Sequence, residues 1–369
     1  MKDKYGYIIV SIVLFVEILA LITFVFYGGD MGIKKILCFL VLNTVISGIL
    51  LLILFVANIA INRICGYTGE IVYLSKENLS YKSNFKSARE IYIAKDVTNI
   101  PYKHFLNLDE YLQYVVFEGK NTVIDKNVFE KCKLLKKVYL PRKLQEIKDE
   151  TFQKCKNLKC VTIPDSVTKI GVESFAGCSS LTSVTIGSEV KEIGMGAFKD
   201  CKKLKSVTIP AGVTRIGTGA FSGCKGLTNI TIGSGVKEIG VGVFQDCKKL
   251  KKVTIPAGVT RIGAGAFAGC KGLTNITIGS GMKEIGVGAF KNCDKLEEIT
   301  IPKSVTKIGT GAFAGCKNLK SVTFEDTSGW HYADGTPNGV INQNENAEKL
   351  RKTHCDKYWY KQQTKGGGK

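Results

Sequence analysis

The chain has 369 residues, 52 Lys and Arg against 32 Asp and Glu, a net charge of +20, and 44% apolar residues. The apolar share excludes a disordered tail, and the length allows two or three compact domains. Three histidines argue against a multi-histidine metal centre, and 13 cysteines, an odd number in so long a chain, do not suit a small disulfide scaffold.

The first element is apolar. Residues 7–27 carry one charge, Glu17, and residues 36–61 carry none. Each run exceeds the ~20 residues that span a bilayer as a helix. Gly28, Gly29 and Gly32 mark a loop between them. The pattern predicts a transmembrane α-hairpin over residues 1–65. The alternative, a cleaved signal peptide, has a shorter apolar stretch of about 7–15 residues and a small-residue cleavage site, which is not seen here. A hairpin puts both ends on one side. Lys2, Lys4, Arg63 and Lys76 at the ends, against Lys34 and Lys35 in the loop, bias those ends weakly toward the cytoplasm. Glu17 near the middle of the first span is costly there. Packing or self-association explains it better than transport, for which two helices offer no path. Residues 66–92 are polar apart from a strand-like Ile71-Val72-Tyr73-Leu74 run, and read as spacer and N-terminal cap.

From residue 93 the sequence repeats. Cys132, Cys155, Cys178, Cys201, Cys224, Cys247, Cys270, Cys293 and Cys316 are each 23 residues apart, and the phenylalanines from Phe129 to Phe313 keep the same step. Worn copies extend back through Phe117, Ile124 and Phe129 to Ile93, Val97, Ile100 and Phe105, which gives ten units over residues 93–324. A period of two units also shows: residues 208–253 and 254–299 match at 36 of 46 positions. A Pro-Ala-Gly-Val-Thr-Arg form (Pro210, Pro256) alternates with a Gly-Ser-Gly-x-Lys-Glu form (Gly233, Gly279).

The spacing within a unit sets its geometry. Val207 and Ile209 are two apart and face inward, while Ser206 and Thr208 face out, as a strand requires. Pro210 or Gly233 ends the strand. Val213 and Ile216 turn inward again, Gly217 permits a corner, and Ala220-Phe221 with Cys224 reads as a short helical turn. One such rung cannot close a core, but stacked rungs bury a continuous one. Ten rungs at roughly 4.8 Å each make a rod on the order of 50 Å long. The last residues, 325–369, break the period, bring in Trp330 and Trp359, and read as a C-terminal cap with a flexible Gly366-Gly367-Gly368-Lys369 end.

The unit V-T-I-P-x-x-V-x-x-I-G-x-x-A-F-x-G-C resembles the BspA-type, or Treponema-type, leucine-rich repeat. The tail, with Ser328-Gly329-Trp330-His331-Tyr332 and Tyr358-Trp359, resembles the flank often found after such repeats. The resemblance implies a leucine-rich-repeat solenoid on a bacterial or protist surface protein, with adhesion and partner binding as its roles and no catalytic residues. Many such proteins carry a cleaved signal peptide, whereas this chain has the two apolar runs.

Several constellations invite chemistry. The cysteine column lacks the close C-x-x-C pairs of zinc sites, and buried structural thiols are the simpler reading. Gly217-Thr218-Gly219 imitates part of a dinucleotide fingerprint but recurs in every rung without a βαβ unit. No nucleophile elbow or H-E-x-x-H is present. Lys202, Lys203, Lys225, Lys248, Lys249, Lys251, Lys252 and Lys271 follow the cysteine column, and stacking aligns them into a stripe. That stripe is either a solvated face or a salt-sensitive polyanion site. Without interleaved aromatics nucleic acid is disfavoured, and an anionic lipid or wall polymer suits a tethered chain better. On the outward strand face, Thr208, Thr231, Thr254 and Thr277, with Ser206, Asn229 and Asn275, form a flat polar surface. It either contacts a partner or serves as a ladder of cross-strand pairs.

The sequence therefore predicts an N-terminal transmembrane α-hairpin followed by a leucine-rich-repeat solenoid of short β-strands and short helical turns. Its expected function is that of a membrane-tethered, adhesion-like binding module for a protein or glycan, with the solenoid extracellular and with no catalysis or cofactor. A cytoplasmic-facing scaffold, or polyanion binding through the lysines, is the alternative.

Overall fold

The structure is a computed structural model and describes residues 71–77, 79, 87–105, 108, 110–328, 330–332, 350 and 359–361. The chain divides into two compact units, Met1–Gly66 and Tyr67–Lys369. The expected hairpin, Glu17 included, lies outside the described residues. Among the described residues no helix is long and apolar enough to cross a membrane.

The second unit is a β-solenoid. Its first face is a ten-stranded parallel sheet running from Ile71–Leu74 through Glu90–Ile93, Tyr114–Phe117, Lys137–Tyr139, Cys160–Thr162, Ser183–Thr185, Ser206–Thr208, Asn229–Thr231 and Lys252–Thr254 to Asn275–Thr277. The parallel pair Glu298–Ile301 and Ser321–Phe324 follows. Register is set by the 23-residue step: Ser206 lies opposite Asn229 and Thr208 opposite Thr231. The strand-like run at residue 71 is thus a rung of this sheet, with Tyr73 opposite Tyr92, and the solenoid has about eleven turns where the repeat count gave ten.

A second face carries two-residue strands, among them Glu192–Ile193, Arg215–Ile216, Glu238–Ile239 and Arg261–Ile262, each paired in parallel within its own sheet. Between the faces the core is continuous. Leu204, Val207, Ile209, Val213, Ile216, Ala220, Phe221 and Cys224 of one rung are all buried, as the spacing predicted. The phenylalanines stack from Phe105 to Phe313 with centroids 5.2–5.6 Å apart.

The expected helical turns are absent; the Ala-Phe-x-x-Cys segments are not α-helical. Around Phe198 every second N–H leaves the rung: Gly196 donates to Thr218, Phe198 to Ala220 and Asp200 to Ser222, at 2.7–2.9 Å. The N–H groups between them make i→i−3 turns, such as Cys201 to Phe198 at 3.2 Å. Gly196 (φ +59°) and Asp200 (φ +57°) are left-handed, so no right-handed run can form. Inter-rung bonds thus replace the i→i−4 ladder of a helix. Gly217 is needed for a different reason from the corner proposed for it: a Cβ there would run into the backbone of Gly194 and Met195 in the rung before.

The C-terminal segment adds two antiparallel strands. Trp359–Lys361 pairs with Lys307–Ile308, and Trp330–Tyr332 pairs with Trp359–Lys361. Both tryptophans are buried, and Phe324 meets Trp330 edge to face at 5.3 Å. The open end of the second face is closed there.

Candidate functional site

Strand alternation puts two side-chain columns of the first sheet into solvent. In the central rungs one column holds Thr208, Thr231, Thr254 and Thr277, and the other holds Ser206, Asn229, Lys252 and Asn275; all are exposed. Lys252 lies opposite Asn275 and Thr254 opposite Thr277, and Asn229 lies opposite Lys252. The structure therefore brings the predicted polar face together as one surface. Each rung contributes two polar side chains, all short except Lys252, from a backbone held in the sheet.

Following the register toward the N-terminus changes the chemistry of this face. The threonine column runs back through Thr185 and Thr162, then becomes Tyr139, Val116, Tyr92 and Tyr73. The neighbouring column becomes Cys160, Lys137, Tyr114 and Glu90. Tyr114 and Tyr139 are exposed. Tyr73 and Tyr92 are half-buried and stack at 5.1 Å. The Lys137 ammonium lies 4.3 Å from the Tyr139 ring centroid, and Lys136 lies 5.9 Å from that of Tyr114. Burial, and then the Glu90 carboxylate, push the Tyr92 hydroxyl pKa up. The face thus has an aromatic end and a hydroxyl-and-amide end. Sequence reasoning missed the aromatic end because the first rungs are worn. The signal was the alternation in Ile71-Val72-Tyr73-Leu74, Glu90-Ile91-Tyr92-Ile93 and Lys137-Val138-Tyr139.

The predicted lysine stripe is also assembled. Lys202, Lys203, Lys225, Lys248, Lys249, Lys251, Lys252 and Lys271 are all exposed, along the edge that leads into the strand face. The Lys205 carbonyl accepts both the N–H and the hydroxyl of Thr228, and the Lys251 carbonyl accepts both from Thr274. The backbone beneath the lysines is therefore fixed from rung to rung.

The sequence profile of the BspA type leucine rich repeat region matches six copies, over residues 81–182, 145–270 and 238–329, well over half of the chain. The chain belongs to the BspA-type leucine-rich repeat family. No curated protein matches it by sequence. Similar solved structures include a leucine rich cell surface protein from Faecalibacterium prausnitzii at 27% identity, with 71% of this chain and 84% of that one covered and a TM-score of 0.42. A leucine-rich repeat protein from Eubacterium ventriosum aligns at 21% identity over 75% of this chain and 93% of that one, with a TM-score of 0.43. The leucine rich repeat protein of T. pallidum aligns at 27% identity over 56% and 82%, with a TM-score of 0.37.

The cysteine column of these BspA-type rungs has a structural task. Each of the nine column thiols, from Cys132 to Cys316 at 23-residue steps, is buried, and donates to the carbonyl of the phenylalanine one rung earlier. Cys201 to Phe175 (3.3 Å) and Cys224 to Phe198 (3.2 Å) are typical. That carbonyl also accepts the turn N–H of its own rung, so both its lone pairs are used. Burial pushes the Cys178 thiol up to about 12 and raises Cys155 and Cys247 well above their ordinary value. Thiolates, the reactive and metal-binding form, are therefore suppressed at these three positions. Cys160 is different: it sits half-buried on the strand face.

The second face explains the two-rung period. Its outward column reads Glu146, Lys169, Glu192, Arg215, Glu238, Arg261, Glu284, Lys307, alternating in sign. Arg261 contacts Glu238 at 3.1 Å and Glu284 at 3.5 Å, and Arg215 reaches Glu192 at 3.6 Å. Like charges opposite one another on adjacent strands are destabilising, so parallel rungs need two alternating sequences on this face.

Proposed function

We propose that the chain is a binding module whose first sheet, from the tyrosines to the threonines, is the recognition surface for a partner protein, with no catalytic step of its own. The observation that carries this reading is the register: two outward side chains per rung, aligned over the sheet on a scaffold fixed by its core, with exposed tyrosines at one end. Such a surface contributes shape and hydrogen bonds along its length. Tyrosine is enriched among interface residues whose truncation costs most, so the N-terminal rungs supply the anchors and the threonine rungs the extent. A glycan partner fits the hydroxyl and amide end less well, because that end alone lacks the aromatic platforms. Membership of the BspA-type family supports a non-enzymatic role. The same reading takes residues 1–65 as the membrane tether and places the solenoid outside the cell, on the resemblance to surface repeat proteins.

Two variants test the surface. Thr231→Arg/Thr254→Arg adds bulk and charge to the centre, and Tyr92→Ala/Tyr139→Ala removes the anchors. Pull-downs from the native cell should lose the same partner with both, with the larger loss from the tyrosine pair. Recovery of the same partners in equal yield from both variants would remove the strand face as the binding surface. The side of the membrane is tested by an impermeant thiol reagent on intact cells, using a cysteine introduced at Gly366 with Cys38, Cys65, Cys160 and Cys355 all replaced by Ser. Labelling of intact cells is expected, and labelling only after lysis would assign the cytoplasmic side.

A further inference from the structure

We propose a second binding site, adjoining the strand face at Lys252: the lysine ridge holds a linear phosphodiester polymer without bases, laid along the solenoid axis. The argument starts from how charge is distributed. In the outward column of the second face, cations alternate with carboxylates, as Arg261 does between Glu238 and Glu284. On the ridge they are not. Lys202, Lys225 and Lys248 succeed one another on consecutive rungs, and none makes an ion pair with a described residue. Lys203 and Lys249, then Lys205 and Lys251, add parallel columns on every second rung, also without ion pairs. The outward column of the second face thus alternates cation with carboxylate while the ridge columns do not, and unpaired cations a rung apart match a chain of regularly spaced anions.

The repeats themselves mark where the ridge ends. Residues 208–253 and 254–299 are near-copies, yet Lys248, Lys251 and Lys252 of the first are Asp294, Glu297 and Glu298 in the second. Lys271 is drawn to Asp294 at 3.9 Å, and Lys320 is paired with Glu297 at 3.2 Å. Core positions stay apolar between the copies, with Val236, Val243 and Val253 replaced by Met282, Ala289 and Ile299, while three ridge positions reverse their sign. The uncompensated stretch therefore runs from Lys202 to the rung of Lys248, two rung steps or roughly 10 Å.

The ridge also selects against other polyanions. Its columns hold no aromatic side chain on which bases would stack, and the exposed tyrosines lie on earlier rungs. Met195, Val241 and Val287, the exposed apolar residues nearest in sequence, belong to a different column, so nothing apolar on the ridge enters a bilayer.

The chain itself supplies the test variant. Lys248→Asp/Lys251→Glu/Lys252→Glu copies the ridge residues of the next unit pair, a rung that this chain already folds. Lys191→Glu/Lys237→Glu/Lys283→Glu changes the net charge equally on the second face. Poly(glycerol phosphate) is the probe, with a single-stranded oligonucleotide and phosphatidylglycerol vesicles as the other arms. The wild-type protein should bind the polymer with strong salt dependence. The ridge variant should lose at least tenfold, with the slope of log K against log salt falling by about 2, and the second-face variant should keep its affinity. Absence of binding, equal loss in both variants, salt-independent binding, or tighter binding to the oligonucleotide or the vesicles would each overturn the proposal.

Discussion

Phe244 lies fully buried between Phe221 at 5.6 Å and Phe267 at 5.3 Å. Its removal leaves a cavity in a column whose backbone is tied to both neighbouring rungs, so the site cannot collapse. Phe244→Ala should cost about 3–5 kcal/mol, read as a fall in the denaturant midpoint of the solenoid. The thiols beside this column make a second residue-scale case. The nine buried thiols of the cysteine column should resist alkylation at neutral pH in the native protein and react once it is unfolded, because the core shields them from the reagent. Rapid native alkylation of Cys201 would contradict the hydrogen bond to Phe175. Both columns were legible in the sequence, since a 23-residue recurrence of Phe and Cys leaves little freedom about what stacks on what. The conformation between them was not. An Ala-Phe-x-x-Cys spacing satisfies a helix equally well, and only the inter-rung bonds of Phe198 and the left-handed Gly196 and Asp200 decide against it.

At the scale of elements, the faces differ in what the sequence revealed. The outward threonine rungs follow from alternation alone, whereas the aromatic end required the register of strands whose repeat signature is worn. The alternation of Arg and Glu forms was visible as a two-unit period, but its cause, a ladder of opposite charges, depends on two-residue strands too short to read from sequence. The two antiparallel strands that follow the last rung, with both tryptophans, fall where the period breaks. Asp326 pairs with Lys361 and accepts from Ser328, which holds its carboxyl well below the usual carboxylate range. A depressed folded pKa contributes stability that is present above the unfolded value of about 3.9 and lost as pH falls through the folded value. The cap should therefore loosen in acid. Trp330 and Trp359 are the only tryptophans of the chain, so their fluorescence reports the cap directly. Wild type should show an acid transition below pH 4 that Asp326→Asn lacks, and identical profiles would refute the role of the pair.

At the scale of the molecule, one repeated rung produces three surfaces of different chemistry: a strand face with an aromatic end, a basic edge, and a second face whose outward column alternates in sign. The division follows from position within the repeat. Each residue of the 23 is copied into a column, so a single side-chain choice becomes a surface property along the solenoid. The central claim is that partners are taken on the strand face. Site-specific photo-crosslinking in the native cell tests it most directly, with the photoreactive residue placed at Thr231 or Tyr139 on that face and at Lys237 on the second. The account predicts a discrete crosslinked partner from Thr231 and Tyr139 and none from Lys237. Crosslinks from Lys237 alone would place recognition on the second face and contradict it.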